Sequence, residues 1–159
     1  MRLWRIAAET RDWPADDLSG GGAAVHPGRW NGHGEPVVYC ATTAALAVLE
    51  TVAHVVDRGF PQDRYLVAID VPPAAWSARE EVPAARLPAA WDAIPAGQAS
   101  VRYGSAWLAA RRSALLLVPS VIVPEEWCAL VNPAHPAASQ VTAHALRRVE
   151  YHRLFRAGA

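Results

Sequence analysis

The sequence predicts a mixed α+β fold in a single domain. Short β-like runs bounded by Gly and Pro recur along the chain, two or three segments between them have apolar residues at helical spacing, and no internal repeat is visible. A chain of 159 residues can bury a core of its own, and 52% hydrophobic residues with 19% charged residues are typical of a compact protein. We therefore expect residues 1–159 to form one domain.

The first half of the chain alternates predicted strands with loops. Residues 3–6 predict a strand with Arg5 on the opposite face from its neighbours, and residues 37–41 predict another that is entered through Pro36. The loop between them contains Leu-Ser-Gly-Gly-Gly at residues 18–22. This glycine run matches no phosphate-binding fingerprint, so we interpret it as a flexible connection.

A helix is predicted from residue 44 to residue 56, and Thr42 or Thr43 can cap its start. We expect its core-facing stripe to consist of the apolar residues at helical spacing, which are Leu46, Leu49, Ala53 and Val56. The polar side chains of this segment are Glu50, Thr51 and His54. Because Glu50 and His54 are four residues apart, they share a face.

The second half contains further predicted strands and helices. Residues 72–99 predict an irregular excursion with a helical turn or two, and residues 132–136 a turn. Strands are predicted at residues 65–71, 115–118, 121–123 and 147–155, and helices at residues 101–112 and 137–146.

Ser120 lies between two β-like runs, and two interpretations stay open. It is either a bulge residue that is hydrogen-bonded locally or a hydroxyl placed for function.

The segment Gly28-Arg29-Trp30-Asn31-Gly32 places a cation, an indole and an amide between two glycines. This mixture suits close backbone approach to a flat, charged ligand. An unpaired carboxylate in apolar surroundings costs several kcal/mol, by the usual order of magnitude. We therefore expect Glu50 to have a partner, and Arg29 is the expected one. The alternative is a surface helix whose polar edge is Glu50, Thr51 and His54.

Composition excludes several classes of function. The formal net charge is zero, so a basic surface for nucleic acid is not expected, and the six histidines have no metal-binding spacing. Cys40 and Cys128 are predicted to be reduced thiols. No secretory segment or apolar run long enough for a bilayer is apparent, so we expect a cytoplasmic protein without membrane contact.

The motifs together resemble the RES domain family, the toxins of RES–Xre type toxin–antitoxin pairs. The spacing of Arg29, Tyr39 and Glu50 is the most specific part of the resemblance. The other matching segments are Trp4-Arg5-Ile6, Leu18-Ser19-Gly20, Trp30-Asn31, Val118-Pro119-Ser120, Asn132-Pro133 and Arg153-Leu154. Residues 72–99 carry no family signal, and Tyr151-His152 stands where an aspartate is expected nearby.

The resemblance implies a fold like that of the ADP-ribosyltransferases and an activity that breaks NAD⁺ between nicotinamide and ribose. Carried over to this chain, the catalytic residues are Arg29, Tyr39, Glu50 and Ser120. The residues expected to bind substrate are Arg29, Trp30, Asn31, Tyr39, His54 and Asn132. For His54, a functional and a structural role both stay open. No metal is expected, because nicotinamide is already a good leaving group.

The resemblance also implies partners: an Xre-type antitoxin with a helix-turn-helix domain, and a second copy of the chain. For the acceptor of the ribosyl group, water or phosphate is the first hypothesis. Transfer of ADP-ribose to a protein is the second, and a non-catalytic module that binds a nucleotide or a partner is the third.

Overall fold

The computed structural model describes residues 1–53 and 63–151, and these form a seven-stranded mixed sheet with helices on its faces. The sheet order is β4-β5-β6-β2-β1-β3-β7, and the neighbouring strands are antiparallel except for the parallel pair of β4 and β5. The strands are β1 (Arg2–Ala8), β2 (Val38–Ala41), β3 (Arg64–Asp70), β4 (Glu80–Glu81), β5 (Leu115–Pro119), β6 (Trp127–Val131) and β7 (Thr142–Arg148). The helices are α1 (Gly21–Val25), α2 (Ala44–Val52), α3 (Pro73–Ser77) and α4 (Gln98–Ala110), with 3₁₀ turns at Ala84–Arg86 and Pro136–Gln140.

Side chains along each strand point alternately to the two faces of the sheet, and both faces are buried. One face packs against α3, the segment before α1 and the second 3₁₀ turn; its buried side chains include Leu3, Val38, Leu117, Ala129 and Val131. The opposite face carries α2 over β1 and β3, and α4 over β5 and β6. The core is therefore built on both sides of the sheet.

The structure confirms the predicted fold class and most of the early elements. The strands expected at residues 3–6, 37–41, 65–71 and 115–118 correspond to β1, β2, β3 and β5. The helices expected from residues 44 and 101 correspond to α2 and α4. Thr43 caps α2, because its hydroxyl accepts a hydrogen bond from the Leu46 N–H at 3.1 Å.

The predicted core-facing stripe of α2 is wrong at two positions. Leu46 is buried, but Leu49 is 39% exposed and Ala53 is also exposed. The helix instead turns Ala47 inward, with Val48 and Val52 packing toward Leu66, Val149 and Tyr151. Val56 lies outside the described residues.

Three other secondary-structure predictions are wrong in whole or in part. Residues 121–123 form a turn, and the next strand is β6, which the sequence analysis missed. The segment predicted as a helix at 137–146 is a 3₁₀ turn followed by β7, because pairing with β3 outweighs the helical propensity of its alanines. The strand predicted at 147–155 overlaps β7 only at Arg147 and Arg148, and residues 152–155 lie outside the described residues.

The glycine run is packed, contrary to its interpretation as a flexible connection. Gly20 is buried, has φ of 71°, and lies so close to the backbone of Val37 that a Cβ there would collide with it. This left-handed conformation favours glycine, and α1 begins at the next residue.

The helices are short, and α4 with 13 residues is the longest of those described. Within residues 1–53 and 63–151, no helix has the length and apolar character needed to cross a membrane. The cytoplasmic location stays a prediction.

Helix α4 meets the chain after α1 at a backbone-to-backbone contact. Gly104 is buried, and a Cβ at this position would collide with the carbonyl group of Trp30. Only glycine allows this approach. A second link is the Glu35 carboxylate, which accepts hydrogen bonds from the Ser105 hydroxyl and the Gly32 N–H. The segment that contains Arg29 is thus fastened directly to α4.

We predict that Gly104→Ala lowers the melting temperature by roughly 5 °C or more, since overpacking against a backbone atom costs about 1–3 kcal/mol. Thermal unfolding followed by circular dichroism measures this. Gly22→Ala in α1 is the matched control, because nothing lies within 4 Å of a Cβ built there. Equal melting temperatures for the two variants would show that the contact does not matter.

Candidate active site

Glu50 lies on α2 and is held by one carboxylate oxygen. Its Oε1 accepts a hydrogen bond of 2.6 Å from the Ser120 hydroxyl and one of 3.2 Å from the Cys128 thiol. These three residues come from α2, the turn after β5, and β6. Two donors on one oxygen satisfy part of the hydrogen-bonding need of a half-buried carboxylate.

The second oxygen of Glu50 is not engaged in this way. Among the residues that the structure describes, Oε2 receives no hydrogen bond. A carboxylate that is anchored through one oxygen can offer the other to a ligand without losing its position.

Ser120 is hydrogen-bonded locally, as one of the two interpretations expects, and its hydroxyl also contacts Glu50; a functional role for it stays a prediction. Its Oγ accepts the N–H groups of Ile122 and Val123, both at 3.0 Å, and it donates to Glu50. The residue is 1% exposed. These local bonds also explain why residues 121–123 do not form a strand, because two of their backbone donors are used by the serine.

Cys128 is the site residue that sequence reasoning missed. It lies on β6, where it is paired with Val118 of β5 on one side and Ala41 of β2 on the other. Burial, followed by the charge of Glu50, raises the pKa of the Cys128 thiol, which therefore stays protonated and able to donate. The alternation of residues 127–131 was the available signal, since it places Cys128 on the same face as Leu130.

The chain after α1 is organised by the buried side chain of Asn31, which is 0% exposed. Its Oδ1 accepts hydrogen bonds from the Gly28 N–H at 2.8 Å and from the Tyr39 hydroxyl at 2.7 Å. Its Nδ2 donates to three carbonyl groups, those of Ala23, Gly32 and Glu35. The amide therefore fixes the backbone on both sides of Arg29.

Tyr39 supports the same segment from β2. Its hydroxyl accepts the Trp30 N–H at 2.9 Å and donates to Asn31, and its ring is so close to Gly28 that no Cβ fits there. Burial raises the pKa of the Tyr39 hydroxyl, while the hydrogen bond from Trp30 and the charge of Arg29 act to lower it.

Arg29 does not form the expected ion pair with Glu50, because no nitrogen of Arg29 lies within 4.0 Å of a Glu50 oxygen. One terminal guanidinium nitrogen donates instead to the carbonyl oxygens of Trp91 and Ala93, at 2.9 and 2.8 Å. The other two nitrogens make no hydrogen bond within residues 1–53 and 63–151. The excursion at residues 72–99, which carried no sequence signal, thus supplies the groups that orient the guanidinium.

Trp30 is 3% exposed and lies in an aromatic cluster. Its ring stacks on Trp91 with 6.0 Å between centroids and meets Tyr103 edge-on at 6.2 Å. Because Trp30 and Asn31 are both buried, direct contact with a ligand would require the segment to move. The substrate contacts expected of them stay predictions.

Asn132 is also buried, with 1% exposure. Its Nδ2 donates to the Leu108 carbonyl at 2.9 Å, and its Oδ1 accepts the Ala134 N–H at 3.0 Å. It therefore joins the end of α4 to the turn after β6. His54 lies outside the described residues.

The two halves of the candidate site share one face of the sheet. Tyr39 is opposite Leu130, and Ala41 is opposite Cys128, so Tyr39 and Cys128 are diagonal neighbours on β2 and β6. Tyr39 contacts the Arg29 segment, and Cys128 contacts Glu50. The predicted residues on loop and helix are thus connected through two adjacent strands.

No three His, Cys, Asp or Glu side chains come together as metal ligands in the part of the chain that the structure describes. The expectation that the site works without a metal stays a prediction.

A protein-family model for the RES domain matches residues 2–154, which is nearly the whole chain. The chain belongs to the RES domain family. This confirms the resemblance that was stated from the spacing of Arg29, Tyr39 and Glu50.

Named relatives of this RES chain include a "Prs ADP-ribosylating toxin" of Sphingobium sp., which is 51% identical over 94% of this chain and 92% of the relative. A "Toxin Res" of Photorhabdus laumondii is 38% identical over 72% of each chain. A "Toxin Res" of Pseudomonas putida is 38% identical over 87% of this chain and 88% of the relative.

We predict that Tyr39→Phe lowers the free energy of unfolding of this RES domain by roughly 1–3 kcal/mol, because the Trp30 N–H loses its acceptor and Asn31 loses a donor. Urea unfolding measures the difference. Tyr103→Phe is the matched control, since the Tyr103 hydroxyl makes no hydrogen bond with the described residues and the ring contact with Trp30 is kept. If both variants unfold alike, the Tyr39 hydroxyl is not an anchor.

Proposed function

We propose that this RES domain protein is a toxin that cleaves NAD⁺ at the bond between nicotinamide and ribose. Its family membership and the names of its relatives support the assignment to the toxins. The observation that carries the proposal is the geometry of Glu50, whose Oε1 is anchored by Ser120 and Cys128 while Oε2 is left for a ligand.

The proposed role of Glu50 follows from the charge that develops in the reaction. When the C–N bond breaks, the electron pair leaves with nicotinamide, and the anomeric carbon of the ribose becomes cationic, as in glycoside hydrolysis. A fixed carboxylate stabilises this cation and can accept a hydrogen bond from a ribose hydroxyl. In this proposal Oε2 is the oxygen that faces the substrate.

Arg29 is proposed to bind the pyrophosphate of NAD⁺. A guanidinium forms two parallel hydrogen bonds to phosphate oxygens, and two of its three nitrogens are not used by the described residues. The carbonyls of Trp91 and Ala93 hold the third nitrogen and therefore aim the group. Tyr39 is proposed to lie under the bound substrate, with its ring close to it. Its hydroxyl stays hydrogen-bonded to the segment that contains Arg29.

Ser120 is proposed to hold the Glu50 carboxylate in position. The sequence left open a hydroxyl placed for function, and in the structure its donor hydrogen is used by the Glu50 carboxylate. A buried serine with two accepted N–H groups and one donated bond is well suited to hold a charged partner in place.

For the acceptor we propose a protein side chain. The relative with 51% identity carries ADP-ribosylation of a target in its name, and it matches 94% of this chain. In such a transfer, the acceptor atom bonds to the anomeric carbon and releases one proton, which balances the loss of nicotinamide. Hydrolysis or phosphorolysis, the first hypothesis from sequence, is the alternative that the experiment separates.

We also propose that an Xre-type antitoxin with a helix-turn-helix domain binds this chain, and that two copies associate in the complex. Both proposals rest on the family resemblance. Purification of the chain with the product of the neighbouring reading frame, followed by light scattering, would test them together.

We predict that the purified protein, supplied with a cell extract that contains the acceptor, releases nicotinamide from NAD⁺, and that Glu50→Gln lowers kcat by a factor of roughly 10² to 10³, the size of effect seen when one electrostatic stabiliser is removed. Chromatography of nicotinamide measures release. NAD⁺ labelled in the adenine ring, with a cell extract added, distinguishes the acceptors, because only protein transfer leaves label on a polypeptide.

Glu125→Gln is the control for the loss of charge, since Glu125 is exposed in the turn after Ser120 and has no hydrogen bond within the described residues. Full activity in Glu50→Gln would contradict the proposed role of the carboxylate. Saturable binding of NAD⁺ without any release of nicotinamide would favour the non-catalytic binding module instead.

We predict that Arg29→Lys raises KM for NAD⁺ by about tenfold and changes kcat less, because an ammonium binds phosphate without the two-pronged geometry of a guanidinium. Steady-state kinetics of nicotinamide release measures both constants. Arg102→Lys on the exposed side of α4 is the matched control. A large fall in kcat with unchanged KM would place Arg29 at the reacting centre and not at the pyrophosphate.

A further inference from the structure

Cys128 is a thiol in contact with the carboxylate that the proposed reaction uses. Its Sγ lies 3.2 Å from Glu50 Oε1, well within the 4.0 Å limit for a sulfur hydrogen bond, and the side chain is partly buried. A protonated thiol is a weak donor, and a carboxylate is the strongest acceptor available to it.

The strand register explains why the thiol reaches this place. Cys128 is directly opposite Val118 of β5, two residues before Ser120, and opposite Ala41 of β2, which precedes the cap of α2. Strand β6, which lies between β5 and β2, therefore presents the thiol between the two elements that carry Ser120 and Glu50. Its position is set by backbone pairing on both sides, so it is a rigid support.

We propose that Cys128 is a positioning residue, whose thiol donates to Glu50 Oε1 and, together with Ser120, keeps the carboxylate oriented with Oε2 toward the substrate. The proposal deepens the proposed function and rests on it. Cys128 is not a nucleophile in this arrangement, because burial and the adjacent charge keep it protonated.

A packing role is the competing explanation, since Cys128 also contacts the apolar clusters around Leu130 and Leu46. Two substitutions separate the explanations. Cys128→Ser keeps a donor of similar size, whereas Cys128→Val fills the volume, suits a strand and has no donor. If Cys128 acts by packing, Cys128→Val should keep more activity than Cys128→Ser. If it acts as a hydrogen-bond donor, Cys128→Ser should keep more.

We expect Cys128→Ser to keep kcat for nicotinamide release within about twofold, and Cys128→Val to lose roughly three- to tenfold, the range for one hydrogen bond of ordinary strength, because a thiol is a weak donor. Equal kinetics in the two folded variants would overturn the proposal.

The infrared S–H stretch tests the contact without any need for activity. The chain has two cysteines, and Cys128→Val assigns the band of Cys128 by difference from that of Cys40. Glu50→Gln replaces the carboxylate by a weaker acceptor, so the Cys128 band should move to higher frequency. An unchanged band would overturn the proposal even if the enzyme is active. If the wild-type protein releases no nicotinamide, the proposed function fails, and the band still decides whether the thiol holds Glu50.

Discussion

One oxygen of Glu50 joins three elements that are distant in sequence: α2, the turn after β5, and β6. A half-buried carboxylate without donors would cost several kcal/mol by the usual order of magnitude, and the hydroxyl of Ser120 and the thiol of Cys128 offset that cost. This requirement also sets the rotation of α2 about its axis. Because Glu50 must point toward the turn after β5, Leu49 is left on the exposed side, and the buried side passes through Leu46 and Ala47.

The Arg29 half of the site satisfies a different constraint. A guanidinium has to be presented from a loop, and loops are mobile unless their polar groups are bound. Here the amide of Asn31 makes five hydrogen bonds, the Tyr39 hydroxyl makes two, and Gly104 brings α4 into direct backbone contact. The same segment is held from the other side by the Trp30–Trp91 stack. A loop held this way behaves as part of the core, which suits a charged group that must keep its position before any ligand binds.

Many features of the fold and of the candidate site could be predicted from the sequence, for reasons that differ from residue to residue. The Thr43 cap and the unusual carboxylate in α2 are local signals, and the order of Arg29, Tyr39 and Glu50 identified the family. Strand β7 could not be predicted, because its alanines, leucine and arginines favour a helix and only pairing with β3 makes it a strand. Cys128 was missed for a related reason. Its importance depends on register with β5 and β2, and a single cysteine in an apolar run shows nothing of that.

The predicted catalytic and substrate-binding residues fall into two sets in the structure: buried polar residues that hold other groups in place, and charged groups that are held. Asn31, Ser120 and Asn132 are three of the five buried polar residues among those described, and their hydrogen bonds go to the protein itself. The groups left over are Oε2 of Glu50 and two nitrogens of Arg29, the two charged ends on which the proposed chemistry depends. A site for a reaction that develops charge needs its own charges fixed beforehand, since reorganising them during the reaction would cost part of the stabilisation. In the proposed reaction, the buried amides and hydroxyls of the motif therefore act through the positions that they impose on Glu50 and Arg29.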